Sequence, residues 1–147
     1  MKTVKVKIVN NSKHPLPAYG SLMAAGMDLR ANLDAPITLM VGDRYLIPTG
    51  IHIQLPEGYE CQIRPRSGLA LKHGITLVNA PGTVDADYRG DVGAIVQNLG
   101  HEPFTIHDGD RICQMVIKEY VHVEWDEVSS LDLSERGEGG FGHTGVK

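Results

Sequence analysis

The chain has 147 residues, 41% hydrophobic and 22% charged, which suits one folded domain that buries roughly two thirds of its unfolded surface. A formal net charge of −4 denies it the broad basic face that nucleic acid needs, although a few local cations suffice for a small anion. No apolar run approaches the roughly 20 residues of a membrane span.

From the N-terminus onward, period-two alternation dominates and points to strands. Val4, Val6 and Ile8 share one face of the first segment. Ile51, Ile53 and Leu55 share a face of IHIQL, and Ile112, Gln114 and Val116 share one of ICQMVIKEY. The turn signals LPEGYE, NAPG, NLGHEP and HDGD separate these runs. One helical candidate, SGLALKHG, has Ser67 as its cap and Gly74 as its end. GITLV and AIVQN flank a polar, glycine-rich stretch and predict a long hairpin with a tight tip. Many short strands predict an all-β sandwich, barrel or jelly roll. The pattern dissolves near Glu127, so 1–126 reads as a β domain and 127–147 as a mobile C-terminal arm, with Trp125 anchoring the exit from the core. Cys61 and Cys113 fit neither a disulfide framework nor a CxxC pair, so two structural thiols in a reducing, cytoplasmic setting are expected.

Several stretches can carry chemistry. In RPRSGLA, Arg66 offers a planar fork, Ser67 opens a helix and Gly68 permits close backbone approach, which together suit a phosphate. The same residues also make a capped turn with surface arginines. In GTVDADYRGDVG, Asp85 and Asp87 share a face of an extended segment, and one of them can serve as a general base. Both can equally be turn acids, and Tyr88 either a core aromatic or a ring on a sugar. Asp28 stands alone among the small and apolar residues of AGMDLRA, so it needs a cation, internal donors or water around a metal. Gln114, inside an apolar strand, either satisfies a buried backbone group or presents an N–H to a ligand. GDRI reads as a turn entering that strand. The seven histidines show no metal-binding spacing. RGEGGFGHTG combines an arginine and a phenylalanine with many glycines, which suits either a frayed end or an arm that approaches an anion and covers something flat.

Taken in order, AGMDLRA, RPRSGLA, GTVDADYRGDVG, GDRICQ and RGEGGFGHTG resemble the five motifs of the trimeric dUTPase family, over nearly the whole chain. The resemblance implies a distorted jelly-roll, β-clip-like barrel that works as a homotrimer with sites between subunits, and no nucleic-acid or membrane partner. It implies hydrolysis of dUTP to dUMP and pyrophosphate, which keeps uracil out of DNA and supplies dUMP for thymidylate synthesis. It makes Asp85 the catalytic carboxylate that activates water, and it places Arg66, Ser67, Gly68 and Gln114 on the phosphates. Asn79 and Gly93 belong with the uracil-binding hairpin, and Tyr88 with the deoxyribose, where the ring leaves no room for a 2′-hydroxyl. In the arm, Phe141 covers uracil while Arg136, Gly142 and Thr144 approach the phosphates. A Mg²⁺ ion is held mainly by phosphates and waters, with Asp28 steadying those waters rather than ligating the metal.

Two residues depart from the family pattern. His143 stands where many relatives have serine, and Glu138 puts an acid into an arm that approaches phosphate. The related dCTP deaminases carry a glutamate on the strand leaving the hairpin, and the absence of any acid from AIVQNLG counts against deamination.

Overall fold

Alternating burial makes the strands of this protein, and turns with glycine at positive φ separate several of them. The computed structural model describes residues 2–140. Its elements run β1 (Lys7–Asn10), β2 (Met27–Arg30), β3 (Ile37–Leu39), β4 (Arg44–Ile47), β5 (Ile51–Gln54) and β6 (Tyr59–Arg64). They continue with α1 (Ser67–His73), β7 (Ile75–Leu77), β8 (Gly82–Val84), β9 (Ala94–Asn98), β10 (Phe104–Ile106) and β11 (Arg111–Glu119). Antiparallel pairing gives four small sheets, ordered β1–β5, β10–β3, β2–β11–β6–β8 and β4–β9–β7. They wrap one apolar core, in which Leu29, Leu39, Ile47, Val96 and Ile106 are fully buried, and they do not close into a continuous barrel. The all-β, jelly-roll-like class expected from the strand pattern is the class found.

Ile51, Ile53 and Leu55 all point inward, as their alternation predicts. β11 departs from strict alternation. Its register against β2 shifts between Arg111 and Cys113, so Ile112 and Cys113 both face the core. A bulge of this kind turns one extra residue inward and bends the strand. β1 begins only at Lys7, and Val4 and Ile8 stay partly exposed, because this strand sits in a two-stranded sheet with little to cover it. Trp125 does not anchor the exit from the core. It is 89% exposed, since the chain leaves the sheet after Glu119 and Val121, Val123 and Trp125 then face solvent. Cys61 and Cys113 are free and buried, and desolvation pushes each thiol up to about 12, so both behave as packing groups.

Two local features position the chemistry. β7 and β9 pair as the predicted hairpin, with Ile75 opposite Asn98 and Leu77 opposite Val96. The stretch between them is more than a tip, because β8 branches out of it and pairs with β6 in the neighbouring sheet. Residues 85–93 are thereby suspended between two sheets. The second feature is α1. Arg66, not Ser67, occupies its N-cap position, and no side chain caps the helix start. At the other end Gly74 adopts φ 67° and its N–H meets the carbonyls of Ala70 and Leu69. A Cβ on Gly74 would lie 2.6 Å from the Gly100 backbone, so the helix end rests directly on the loop after β9.

Asn98 holds that loop. Fully buried, it donates from Nδ2 to Leu39 O at 3.0 Å and Glu102 O at 2.8 Å, and it accepts from Gly100 N at 2.9 Å. Asn98→Ala would take the partner from three backbone groups, of which the bond to Leu39 O is buried and worth about 1–3 kcal/mol when left unmade, while the other two are part-buried. We expect the variant to lose about 1–3 kcal/mol in urea unfolding; a loss below about 1 kcal/mol would show that water replaces the amide without penalty.

Candidate active site

Hydrogen bonds to the 49–50 turn impose shape on residues 85–93. The Asp91 carboxylate accepts from Thr49 N at 3.0 Å and Gly50 N at 2.7 Å. Thr49 Oγ1 donates to Val92 O at 2.7 Å, and Val92 N to Ile51 O at 2.8 Å. Arg89 folds its guanidinium back onto Ala86 O and Tyr88 O at 2.7 and 2.9 Å, and Tyr88 Oη donates to Asp91 O at 3.0 Å. Ala86 packs against the core while Asp85 and Asp87 point out, the alternation read from the sequence. The result is a cavity of about 510 Å³ lined by Asn79, Asp85, Tyr88 and Gly93, with Leu46, Thr83 and Ile95 among its walls. Four of the residues singled out in the sequence therefore meet in one place. A Cβ on Gly93 would lie 2.7 Å from Leu46 Cδ1, so a glycine here keeps backbone, not side chain, against that wall. The Asp85 carboxylate has no side-chain partner among the described residues and stands open to the cavity.

A second group gathers on β2, β11 and the start of α1. Asp28 lies opposite Gln114 across the β2–β11 pair, and Gln114 lies opposite Arg64 across β11–β6. Asp28 Oδ1 accepts from Arg66 Nε at 3.0 Å and Oδ2 from Arg111 at 3.3 Å, while Arg66 also donates to Arg111 O at 2.9 Å. The cationic partner demanded by an acid among apolar neighbours is thus a pair of arginines. Arg111 was not apparent from the sequence, where GDRI reads as a turn; the β-bulge brings its side chain onto Asp28. Ser67 and Gly68 are exposed immediately after Arg66. A Cβ on Gly68 would meet nothing within 4 Å, so packing inside the chain does not call for glycine there.

Asp28 and Arg111 line a separate cavity, also about 510 Å³, that shares no residue with the first. Arg136 joins neither group; its Nε donates to Gly139 O at 2.7 Å within its own turn. Phe141, Gly142, His143 and Thr144 lie outside the described residues. Among the described residues no three His, Cys, Asp or Glu side chains gather as a metal cage.

Gln114 Nε2 donates to Pro65 O at 3.0 Å, which ties β11 to the loop carrying Arg66 and leaves its second N–H for another acceptor. Its Oε1 occupies the space a Cβ would need at Gly26. Gly26→Ala should cost about 1–3 kcal/mol of stability through this overlap. Adding Gln114→Ala should recover most of that loss, and additive losses in denaturant melts would disprove the contact.

Comparison with known proteins finds relatives over nearly the whole chain. The dUTPase family model matches residues 4–145. A deoxyuridine 5′-triphosphate nucleotidohydrolase of Finegoldia magna is 57% identical over 142 residues, covering 97% of this chain and 99% of the relative. A point-mutant dUTPase of Staphylococcus bacteriophage 80alpha, solved with dUpNHpp, superposes with a TM-score of 0.88 at 25% identity, covering 98% of this chain and all of that one. A mutant dUTPase of phage phi11 of S. aureus, described with a structural Mg(II) ion, shares the fold at a TM-score of 0.78 and 20% identity, over 88% of this chain and all of that one. With the family model and a 57% identical relative both matching nearly the whole length, the chain belongs to the dUTPase family.

Proposed function

We propose that this enzyme hydrolyses dUTP to dUMP and pyrophosphate, with Asp85 activating the water that attacks the α-phosphorus. The observation that carries this reading is the single cavity in which Asn79, Gly93, Tyr88 and an Asp85 carboxylate without a side-chain partner among the described residues converge. Uracil meets backbone around Gly93 with Asn79 at the base of the hairpin, and Tyr88 lies along the deoxyribose. Asp85 then takes the proton of a bound water as the new O–P bond forms and pyrophosphate departs with the electrons of the broken bond. Positioning of this kind, with a carboxylate as base, contributes typically about 10²–10⁴-fold.

Arg66, Ser67, Gly68 and Gln114 are the proposed contacts for the triphosphate, and Arg111 joins them through its bond to Asp28. Phosphoryl-transfer sites work chiefly by such charge placement. The donor set suits a Mg²⁺ ion that arrives with the triphosphate rather than one caged by protein, since the nearby Asp28 carboxylate is already shared by two guanidinium groups. When bound, the ion neutralises phosphate charge. Asp28 acts by holding Arg66 and Arg111 in place and by contacting water around the phosphates.

A homotrimer with sites between subunits accounts for two further observations. Within one chain the base cavity and the Asp28–Arg111 pair line different cavities, so neighbouring copies offer a way to unite them. An apolar groove of about 780 Å³ beside Val4, Ile8, Met115 and Ile117, and the exposed stripe Val121, Val123 and Trp125, offer surface for such contact. Arg136, Phe141, Gly142 and Thr144 belong to the proposed arm, residues 127–147, that completes the site over uracil and phosphates. No helix among the described residues is long and apolar enough to cross a membrane, and the two free thiols suit the cytoplasm, where we place the enzyme.

Pyrophosphate release measured with Mg²⁺ and each of dUTP, dTTP, dCTP and UTP should occur with dUTP and be at least about 100-fold slower with the others. Asp85→Asn should keep dUTP binding and lower kcat by roughly 10²–10⁴-fold; turnover like the wild type would remove Asp85 as the base. Truncation before Arg136 should leave the melting temperature nearly unchanged while kcat/KM falls at least about tenfold. A fully active truncated enzyme would rule the arm out of the site.

A further inference from the structure

Gly90 is a glycine that its own backbone does not require. Its φ lies outside the left-handed region, so φ does not call for glycine there. What leaves no space is Tyr88. A Cβ on Gly90 would overlap Tyr88 Oη and lie 2.5 Å from Cζ and 3.0 Å from Cε2. The tyrosine ring is folded back across the bare face of Gly90, and its hydroxyl meets Asp91 O. Asp91 in turn is fastened to the Thr49 and Gly50 amides through its carboxylate.

Tyr88 is 45% exposed, so burial does little to fix the ring. An exposed aromatic side chain left to itself samples several rotamers on the nanosecond scale. Exclusion of one hydroxyl group by contact needs the ring held to within about half an ångström. Here the restraint comes from below, from the space at Gly90 and the carbonyl of Asp91.

We propose that Gly90 is a positioning residue for Tyr88, and that with the anchored Asp91 carbonyl it sets discrimination between deoxyribose and ribose triphosphates. This rests on the reading of Tyr88 as the residue that meets the sugar. A methyl group at position 90 displaces the free end of a side chain rather than the main chain. The ring therefore moves and the fold stays. Gly90 never touches the nucleotide; its effect passes wholly through Tyr88.

The test is a double-mutant cycle in the full-length enzyme, read as the ratio of kcat/KM for dUTP to that for UTP. Gly90→Ala should lower the ratio about tenfold, chiefly through a higher KM for dUTP and faster UTP turnover, while kcat for dUTP is largely kept. In a Tyr88→Ala background the same substitution should change the ratio no further, because the ring it displaces is gone. Tyr88→Phe keeps the ring but loses the bond to Asp91 O, and it should shift the ratio less in the same direction. A wild-type ratio in Gly90→Ala beside a relaxed ratio in Tyr88→Ala would overturn the positioning role and leave Tyr88 as the sugar reader. Equal losses from Gly90→Ala in both backgrounds would also overturn it, since Gly90 would then act independently of the ring. An unchanged ratio in Tyr88→Ala would overturn the reading of Tyr88 and the positioning role together. Should Gly90→Ala fold only when Tyr88 is also alanine, the overlap is established directly, and Tyr88→Phe decides the effect on selectivity.

Discussion

The cavity that holds Asp85 depends for its shape on a second carboxylate, that of Asp91. Asp91 accepts two amide N–H groups from the 49–50 turn and thereby fastens a glycine-rich, acidic segment to the core. A segment with so few apolar side chains cannot hold itself in shape by burial, and charge-assisted hydrogen bonds to backbone replace packing. From that fixed point the placement of Val92, Gly93 and the Asp91 carbonyl follows, and from the carbonyl the placement of Tyr88. The second support is β8, which pairs with β6 and holds the opposite end of the same segment to another sheet. Asp85 sits just beyond β8, so the proposed base is carried on a strand terminus, where precision is greater than on a free loop.

The Asp28 cluster poses the opposite problem, because two guanidinium groups stand close together there. Arg66 and Arg111 carry like charges and repel one another. Asp28 lies between them and bonds both. All three side chains are partly exposed, so the arrangement adds little to stability. Its value is geometric: Asp28 holds both cations in place, and a net-acidic protein gains a local positive patch. Gln114 adds a mechanical link, since its amide bonds Pro65 and so couples the strand carrying Arg111 to the loop carrying Arg66.

Much of this was legible in the sequence, for physical reasons that also explain the misses. Strict alternation in IHIQL and the helix signal of SGLALKHG reflect local periodicity, and the structure follows both. The hairpin of GITLV and AIVQN was equally clear, but β8 inside it was not. Three residues that pair with a distant strand have no periodic signature of their own. The bulge at Ile112 hid Arg111 for a related reason, because a one-residue register shift depends on the partner strand rather than on the strand itself. Ser67 looked like a cap by residue type, yet the helix starts one residue earlier and Arg66 takes that position. Trp125 misled because a large aromatic implies burial without saying in which molecule.

That last ambiguity bears on how such a site is assembled. A single chain holds the proposed base and sugar reader in one cavity and Asp28 with Arg111 in another, with apolar surface left open beside both β1 and β11. In the proposed trimer, burial of that surface supplies the association energy, at about 25 cal/mol for each Å² of apolar area removed from water, less the cost of association. The same association would align two half-sites that the chain cannot bring together by itself. Stability of the assembly and competence of the site would then rise and fall together. A copy that failed to associate would keep its fold, because the core and the Asn98 network lie wholly within one chain. What it would lose is the meeting of Asp85 with the arginines, and with it the reaction.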